Sequence, residues 1–91
     1  MSAKPFWIVY IIEAENGNLY TGITTDLNRR FQEHSSKRKR AKFFSISSPK
    51  QILFKENYSS RCEASIREAE IKRMSRSQKL ELISFSDSRL R

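Results

Sequence analysis

The chain has 91 residues, of which 37% are hydrophobic, so it can form one domain with a modest core; a second fold and a large buried cavity are excluded. Lysine and arginine number 18 against 10 acidic residues, and the formal net charge of +8 favours a polyanionic partner, most often nucleic acid, over a basic protein with no such partner. The single cysteine, Cys62, excludes an intrachain disulfide and a cysteine-rich zinc site, and fits a reducing compartment.

The first apolar run extends from Phe6 to Ile12 and is rich in β-branched and aromatic residues. Because it is apolar on both faces, it predicts a central strand that is covered on both sides. The run is too short to span a bilayer, and no small-residue cleavage site follows it. We therefore expect a cytoplasmic protein with no membrane partner.

A hairpin is predicted next, because Asn16-Gly17 is a strong turn signal. The second strand is expected from Leu19 to Ile23. Gly22 is unusual inside a strand, and it indicates that another backbone or a ligand approaches closely at this position.

A first helix is predicted to begin at residue 25 or 26, a threonine and an aspartate that can both cap free N–H groups. Leu27 and Phe31, four residues apart, form its apolar stripe. A step of about 100° per residue places Arg30 and His34 beside that stripe and turns Arg29 away from it. Arg30 is therefore expected to extend toward the sheet.

A long exposed loop is predicted over residues 35–48. Residues 26–42 hold seven basic and two acidic residues, so much of the positive surplus lies in this part of the chain. We expect the basic side chains of the loop to contact nucleic-acid phosphates, in preference to serving as a nuclear localisation signal. They are Lys37, Arg38, Lys39, Arg40 and Lys42.

The C-terminal half is predicted to contain one strand over residues 51–55, extending to residue 58, and then two helices. Capping boxes at residues 60–63 and 75–78 open a helix over residues 61–74 and a short last helix that ends near Ile83. The order β-β-α-β-α-α predicts an α+β fold, a small three-stranded antiparallel sheet flanked by helices. We expect a domain over residues 1–83 and a flexible tail over residues 84–91.

Four segments stand in a characteristic order across the predicted strand, strand, helix and helix. They are Val9-Tyr10, Tyr20-Thr21-Gly22, Asp26–Phe31 and Glu63–Lys72. Each is weak by itself, but the order and spacing together resemble the GIY-YIG endonuclease family over nearly the whole chain. The similarity is greatest to the short, single-domain bacterial members.

The resemblance implies a metal-dependent endonuclease that hydrolyses phosphodiester bonds in DNA with one Mg²⁺ or Mn²⁺ ion. Tyr10 and Tyr20 match the family's two active-site tyrosines, and Arg30 matches its arginine. His34 falls where members carry a tyrosine or a histidine, and Glu68 matches the single metal-binding glutamate.

The chain departs from the family pattern at three points. Ile8 replaces the glycine that opens the motif, which costs little because that glycine is not a chemical group of the reaction. Ile23 replaces the lysine that DNA-repair members carry after the second motif, and no residue matches the asparagine that those members place late in the domain. These departures weaken the expectation for the substrate, including a role in DNA repair, more than the expectation for the reaction.

The residues that the resemblance implies suit the chemistry of phosphodiester hydrolysis. Phosphodiester hydrolysis requires a deprotonated water, stabilisation of charge on the phosphoryl oxygens and help for the departing alkoxide. Tyr10, whose ordinary pKa is about 10, becomes a general base if a nearby cation favours its phenolate. Arg30 supplies donors for the phosphoryl oxygens, and Glu68 supplies one hard oxygen ligand for the metal. Tyr20 or His34 would orient the water or the phosphate.

The two tyrosines can serve one site only if the hairpin has the right register. A two-residue turn would pair Tyr10 with Ile23 and put the tyrosines on opposite faces. A three-residue loop over residues 15–17, with Gly17 left-handed, pairs Tyr10 with Gly22 and Tyr20 with Ile12. We predict the second arrangement.

Two other functions compete with an endonuclease. The first is a nucleic-acid-binding module that does not cut, which charge and aromatic residues fit equally well. The second is a protein-interaction domain whose basic face meets an acidic partner. The site residues also have purely structural alternatives. Tyr10 and Tyr20 could be ordinary aromatic residues of the strands, and His34 could be a plain cation at the end of the helix.

Overall fold

The computed structural model describes residues 6–89, with side chains as far as Ser86. Three strands and three helices follow one another in the predicted order, which confirms the α+β fold. The elements are β1 (Trp7–Ala14), β2 (Leu19–Thr24), α1 (Leu27–Ser35), a 3₁₀ helix (Lys42–Ser45), β3 (Pro49–Tyr58), α2 (Arg61–Lys72) and α3 (Arg76–Arg89). None of the described helices is long and apolar enough to cross a membrane.

The sheet is antiparallel with the strand order β2-β1-β3, so the apolar first strand lies at its centre, as predicted. Successive residues of β1 point to opposite faces, and each face has its own core. Val9 and Ile11 pack against α2 and α3. Tyr10 and Ile12 pack on the other face against Leu27 and the 3₁₀ helix. The candidate tyrosine therefore belongs to the face that α1 covers.

The hairpin has the predicted three-residue loop. Gly17 has a φ of 88°, and it is the described glycine that requires the left-handed region. Tyr10 pairs with Gly22 and Ile12 pairs with Tyr20, which confirms the predicted register. Both tyrosine side chains consequently lie on one face of the sheet.

Helix α1 begins where its cap was expected, because the Asp26 side chain accepts a hydrogen bond from the Arg29 backbone N–H at 3.1 Å. The helical-wheel prediction is also confirmed. The Arg29 side chain is 63% exposed and that of Arg30 only 28%. His34 is buried in the last turn.

The predicted exposed loop after α1 is wrong in its second half. Residues 42–45 form a 3₁₀ helix, and Phe44 is buried in the core on the Tyr10 face. The physical reason is that α1 spans only 9 residues, so an additional apolar group is needed to cover Tyr10 and Ile12. The basic residues that precede Phe44 remain at the surface.

Both predicted capping residues start helices in the second half of the chain. Ser60 accepts a hydrogen bond from the Glu63 backbone N–H at 3.2 Å, although the Glu63 carboxylate bonds Ser59 and does not complete the box. Ser75 and Gln78 form the reciprocal pair in full, at 3.2 and 2.9 Å. Two hydrogen bonds thus fix the start of α3.

The last helix is longer than expected. Helix α3 continues to Arg89, where the sequence predicted a polar tail from residue 84. Residues 84–89 contain no glycine or proline to end the helix, and Phe85 lines a cavity together with Leu82 and Phe54. Residues 90–91 lie outside the described part, and the division between domain and tail stays a prediction.

Candidate active site

Tyr10 lies at the centre of the site. It projects from the middle of the central strand and is 1% exposed. Its ring extends across the neighbouring strand at Gly22, where an added Cβ would lie 2.5 Å from the hydroxyl oxygen. The close approach that Gly22 indicated is therefore made by a side chain of the protein itself. A residue larger than glycine would displace the hydroxyl.

The Tyr10 hydroxyl bonds His34. The hydroxyl oxygen lies 3.0 Å from Nε2 of the imidazole. The other ring nitrogen, Nδ1, lies 3.1 Å from the backbone nitrogen of Ala41, which can only donate. In the neutral ring Nδ1 is therefore the acceptor and Nε2 carries the proton. His34 accordingly donates its hydrogen bond to the Tyr10 oxygen.

His34 is neutral in this setting. It is 1% exposed, and burial lowers the pKa of its imidazole to about 4, with the positive charge of Arg30 acting in the same direction. A plain helix-end cation is exposed and charged, so that alternative does not describe His34. The ring is a fixed hydrogen-bond donor at neutral pH.

Tyr20 completes an aromatic cluster around the hydroxyl. Its ring centroid lies 5.3 Å from that of His34 in an edge-to-face arrangement and 6.2 Å from that of Tyr10. Phe43 and Phe44 pack against the same ring at 5.2 and 5.0 Å. The two phenylalanines belong to the 3₁₀ helix that sequence analysis missed, and the adjacent aromatic pair in a basic stretch was the available signal.

The electrostatic setting of Tyr10 holds its proton in the free protein. Burial raises the pKa of its hydroxyl above the ordinary value, and Tyr20 and Glu68 act in the same direction. Arg30 lowers the pKa of the same hydroxyl. Positive charge near the Tyr10 hydroxyl therefore lowers its pKa and favours the phenolate form.

Arg30 is held in place by two partners. Its Nη1 donates to the Glu33 carboxylate at 2.8 Å and to the Lys39 carbonyl oxygen at 3.0 Å. The Arg30 hydrogen bond lowers the pKa of Glu33, so this carboxylate stays ionised. Glu33 is a positioning residue that sequence analysis did not identify, although its i+3 spacing from Arg30 was the available signal.

Glu68 projects from α2 with a side chain that is 23% exposed, and its carboxylate lies 3.2 Å from Nζ of Lys72. Glu70, on another strip of the same helix, is 50% exposed and pairs with Arg67. Within residues 6–86, no three His, Cys, Asp or Glu side chains form a group that could hold a metal ion. One carboxylate suits a Mg²⁺ or Mn²⁺ ion that keeps several waters and takes other ligands from a substrate phosphate.

The basic loop lies beside these residues. Lys37, Arg38, Lys39 and Lys42 are exposed, and Arg40 is half-buried. The loop backbone is tied to the site at two points, through the Lys39 carbonyl on Arg30 and the Ala41 N–H on His34. The structure thus brings the predicted cations next to the predicted site.

A cavity of about 670 Å³ elsewhere in the molecule, between the start of α1 and β3, is lined by none of the five candidate residues. It is therefore not part of this site.

Known proteins share this sequence and fold. The chain matches the GIY-YIG catalytic domain over residues 6–81. It is 40% identical over 84 residues to a UPF0213 protein of Desulfotalea psychrophila, which covers 92% of this chain and 76% of that protein. A UPF0213 protein of Cupriavidus necator is 43% identical over 79 residues, with 87% and 85% of the two chains covered.

A solved structure is also similar. The solution NMR structure of the UPF0213 protein BH0048 from Bacillus halodurans has 33% sequence identity and a TM-score of 0.57. The match covers 88% of this chain and 84% of the other. The chain therefore belongs to the GIY-YIG family, among the small UPF0213 bacterial proteins.

Proposed function

We propose that the protein is a metal-dependent endonuclease that hydrolyses phosphodiester bonds in DNA, with Tyr10 as the general base. Membership of a family defined by a catalytic domain supports this proposal. The observation that carries it is the Tyr10 hydroxyl, which is buried in the core, accepts a hydrogen bond from neutral His34 and lies within the field of Arg30. A buried strand tyrosine with a purely structural role also finds a hydrogen-bond partner, so the nearby Arg30 cation is the feature that favours catalysis.

The His34 contact defines the direction of proton transfer. Because Nε2 donates, the imidazole cannot take the Tyr10 proton, but it stabilises negative charge on the phenolate oxygen. Tyr10 would first lose its own proton to solvent water, a step that the Arg30 cation favours. Its phenolate would then accept one proton from the attacking water as that water's oxygen bonds to phosphorus and the departing oxygen leaves. Since burial raises the pKa of Tyr10, the phenolate is a stronger base than a tyrosinate in water.

Arg30 stabilises charge on the phosphoryl oxygens. Its guanidinium carries five N–H donors in a rigid fork. Glu33 and the Lys39 carbonyl both bind Nη1 and thereby fix the plane of the group. The orientation of the fork is thus established before substrate arrives, which is the condition for efficient electrostatic stabilisation.

Glu68 is the residue that would hold the divalent ion. When bound, the ion stabilises negative charge on the departing oxygen. Lys72, one helical turn away, keeps the carboxylate oriented in the free protein. The same ion pair is the observation that favours the alternative, a non-catalytic nucleic-acid-binding module, since a carboxylate neutralised by lysine is a weaker metal ligand.

A cleavage screen tests the proposal. The protein is incubated with Mg²⁺ or Mn²⁺ and duplex DNA, single-stranded DNA, branched DNA or RNA. We expect cleavage of DNA that is lost in Tyr10→Phe and reduced roughly 10²- to 10³-fold in Arg30→Ala, the range for one preorganised donor. Arg29→Ala, whose side chain points outward, is the matched control and should remain close to wild type.

Two results would contradict an endonuclease. Binding at low salt without cleavage of any substrate would indicate the non-catalytic module. Failure to bind DNA or RNA at low salt would remove both nucleic-acid functions and leave the protein-interaction domain.

A further inference from the structure

A third, smaller cavity opens next to the aromatic cluster. It has a volume of about 280 Å³, close to the lower end of the range for small-ligand pockets, roughly 300–1,000 Å³. It is an open depression bordered by the start of the second strand, the 3₁₀ helix and the first turns of α3. Its lining residues are Asn18, Leu19, Phe43, Arg76 and Lys79.

An aromatic ring joins this cavity to the candidate active site. Phe43 lines the cavity and is half-buried. Its ring centroid lies 5.2 Å from that of Tyr20 and 5.0 Å from that of Phe44, the second contact being edge-to-face. Two packed neighbours thus hold the ring in place, and one of them belongs to the active site. A ligand group on Phe43 would be separated from Tyr10 by a single ring.

The remaining wall of the cavity is cationic. Arg76 Nη1 donates to the Gly17 carbonyl oxygen at 3.0 Å, which anchors the guanidinium to the hairpin loop. Lys79 follows three residues later and lies on the same side of α3. No acidic residue lines the cavity, and neither cation forms an ion pair with another residue of the described chain. Such a wall recognises an anion.

We propose that this cavity binds one unpaired nucleotide of the substrate, with its base against Phe43 and its phosphate on Arg76 and Lys79. The proposal rests on the proposed nuclease function and adds a substrate class. Inside a duplex both faces of a base are covered by neighbouring bases, so a ring such as Phe43 can stack only on a base that has left the stack. The preferred substrate therefore carries a single-stranded segment next to the bond that is cut.

Binding without metal tests the stacking contact. Fluorescence anisotropy compares a single-stranded oligonucleotide with a duplex of the same sequence at one salt concentration. Phe43→Leu keeps an apolar side chain against Tyr20 and Phe44 but removes the flat ring. We expect single-strand affinity to fall roughly 5- to 150-fold, the range for one stacked base, and duplex affinity to stay within about twofold.

A control and a second pair of variants make the result specific. Ile46→Ala removes an apolar side chain that is 87% exposed in the same segment and does not line the cavity, so it should bind like wild type. Arg76→Ala and Lys79→Ala should each flatten the salt dependence of single-strand binding by about 0.7 log units for each phosphate that is no longer neutralised. Arg73→Ala, an exposed cation outside the cavity, should not.

The outcomes separate this proposal from the nuclease function. Selective loss of single-strand binding in Phe43→Leu supports the nucleotide site even if the wild type cuts nothing, in which case the nuclease proposal alone fails. Equal loss for single strand and duplex, or no loss at all, overturns the nucleotide site. If the wild type cleaves DNA and Phe43→Leu binds single strands normally, the nuclease proposal is supported and the nucleotide site is rejected.

Discussion

At the scale of single residues, the central feature is a chain of hydrogen bonds from a backbone N–H through an imidazole to a phenol oxygen. Ala41 selects the tautomer of His34, and His34 in turn directs a donor at Tyr10. In the free protein Tyr10 and His34 are buried and Ala41 is half-buried, so bulk water has little access to these bonds. A buried neutral histidine also leaves a thermodynamic signature.

We expect stability to fall on acidification because of His34. Its pKa is about 4 in the folded protein and about 6.5 in an unfolded chain, so only the unfolded state takes up a proton between these values. The free energy of unfolding contributed by this group is therefore present above pH 6.5 and decreases as pH falls, by about 2–3 kcal/mol at pH 4.5. Urea unfolding at pH 7.5 and 4.5 measures it.

His34→Gln is the control for the carboxylates that titrate in the same range. The pH-dependent loss should be smaller in this variant by the contribution of the imidazole. Because His34 is the only histidine in the chain, its C2 proton gives one NMR resonance to titrate. A midpoint near pH 6.5 would show that the ring is not held in the buried environment that lowers its pKa.

The contact between Gly22 and Tyr10 gives a second prediction. In Gly22→Ala the new Cβ would lie 2.5 Å from the Tyr10 hydroxyl oxygen, so the ring must move and its bond to His34 is broken. We expect a loss of about 1–3 kcal/mol of stability, typical of overpacking, and loss of most cleavage activity. Thermal unfolding and a cleavage assay measure the two effects.

Gly17→Ala is the matched variant, because no atom lies within 4 Å of its added Cβ but its φ is positive. It should lose about 1–2 kcal/mol through backbone strain and keep its cleavage activity. If both variants keep full activity, the position of the Tyr10 hydroxyl does not control the reaction.

At the scale of the elements, local signals in the sequence were sufficient for the hairpin and the helix starts. Gly17 allowed a left-handed loop residue, which fixes the register of β1 and β2 and brings both tyrosines to one face. Asp26 and Ser75 cap helices through hydrogen bonds that span three residues. Such features depend on neighbours along the chain and can be predicted from them.

Features that depend on tertiary contacts could not be predicted in the same way. The 3₁₀ helix forms because Phe44 fills the space above Tyr10, and no periodic pattern announces it. The orientation of His34 depends on Ala41, seven residues later in the chain. The choice of Arg30 and Glu68 as site residues came from the family resemblance, and their roles stay predictions.

The basic loop should contribute to affinity more than to folding. Replacing Lys37 to Arg40 with alanines removes three exposed cations and one half-buried cation but retains the Lys39 carbonyl that holds Arg30. We expect weaker DNA binding and a salt dependence flatter by roughly 0.9 log units for each duplex phosphate that the loop no longer neutralises. Thermal stability should change little. Lys50→Ala, an exposed cation on β3, is the control, and equal slopes for all three proteins would show that the loop does not contact phosphates.

At the scale of the whole molecule, the proposed site would combine residues from the two layers that cover the sheet. His34 and Arg30 come from α1 on one side, whereas α2, which carries Glu68, packs its Ala64 and Ile71 on the other. Glu68 nevertheless raises the pKa of Tyr10, so its carboxylate is within electrostatic reach of the hydroxyl. The net charge of +8 supplies a general attraction for DNA, and this one carboxylate opposes it locally.

Glu68 therefore distinguishes an enzyme from a module that only binds. Glu68→Gln keeps the shape of the side chain but removes the charge that a divalent ion needs, so we expect nearly all cleavage to be abolished. DNA affinity in the absence of metal should stay level or rise, because one negative charge near the phosphates is gone. Cleavage and metal-free binding are measured on the same preparation.

Glu70→Gln is the matched control, since each variant removes one exposed or partly exposed ion pair of α2, Lys72–Glu68 or Arg67–Glu70. Such pairs contribute about 0–1 kcal/mol, so the two variants should unfold at similar temperatures. Only Glu68→Gln should lose cleavage. If Glu68→Gln still cuts at the wild-type rate with Mg²⁺, the metal is held elsewhere. If both variants lose activity equally, the reaction requires an intact helix α2 and not specifically the carboxylate at position 68.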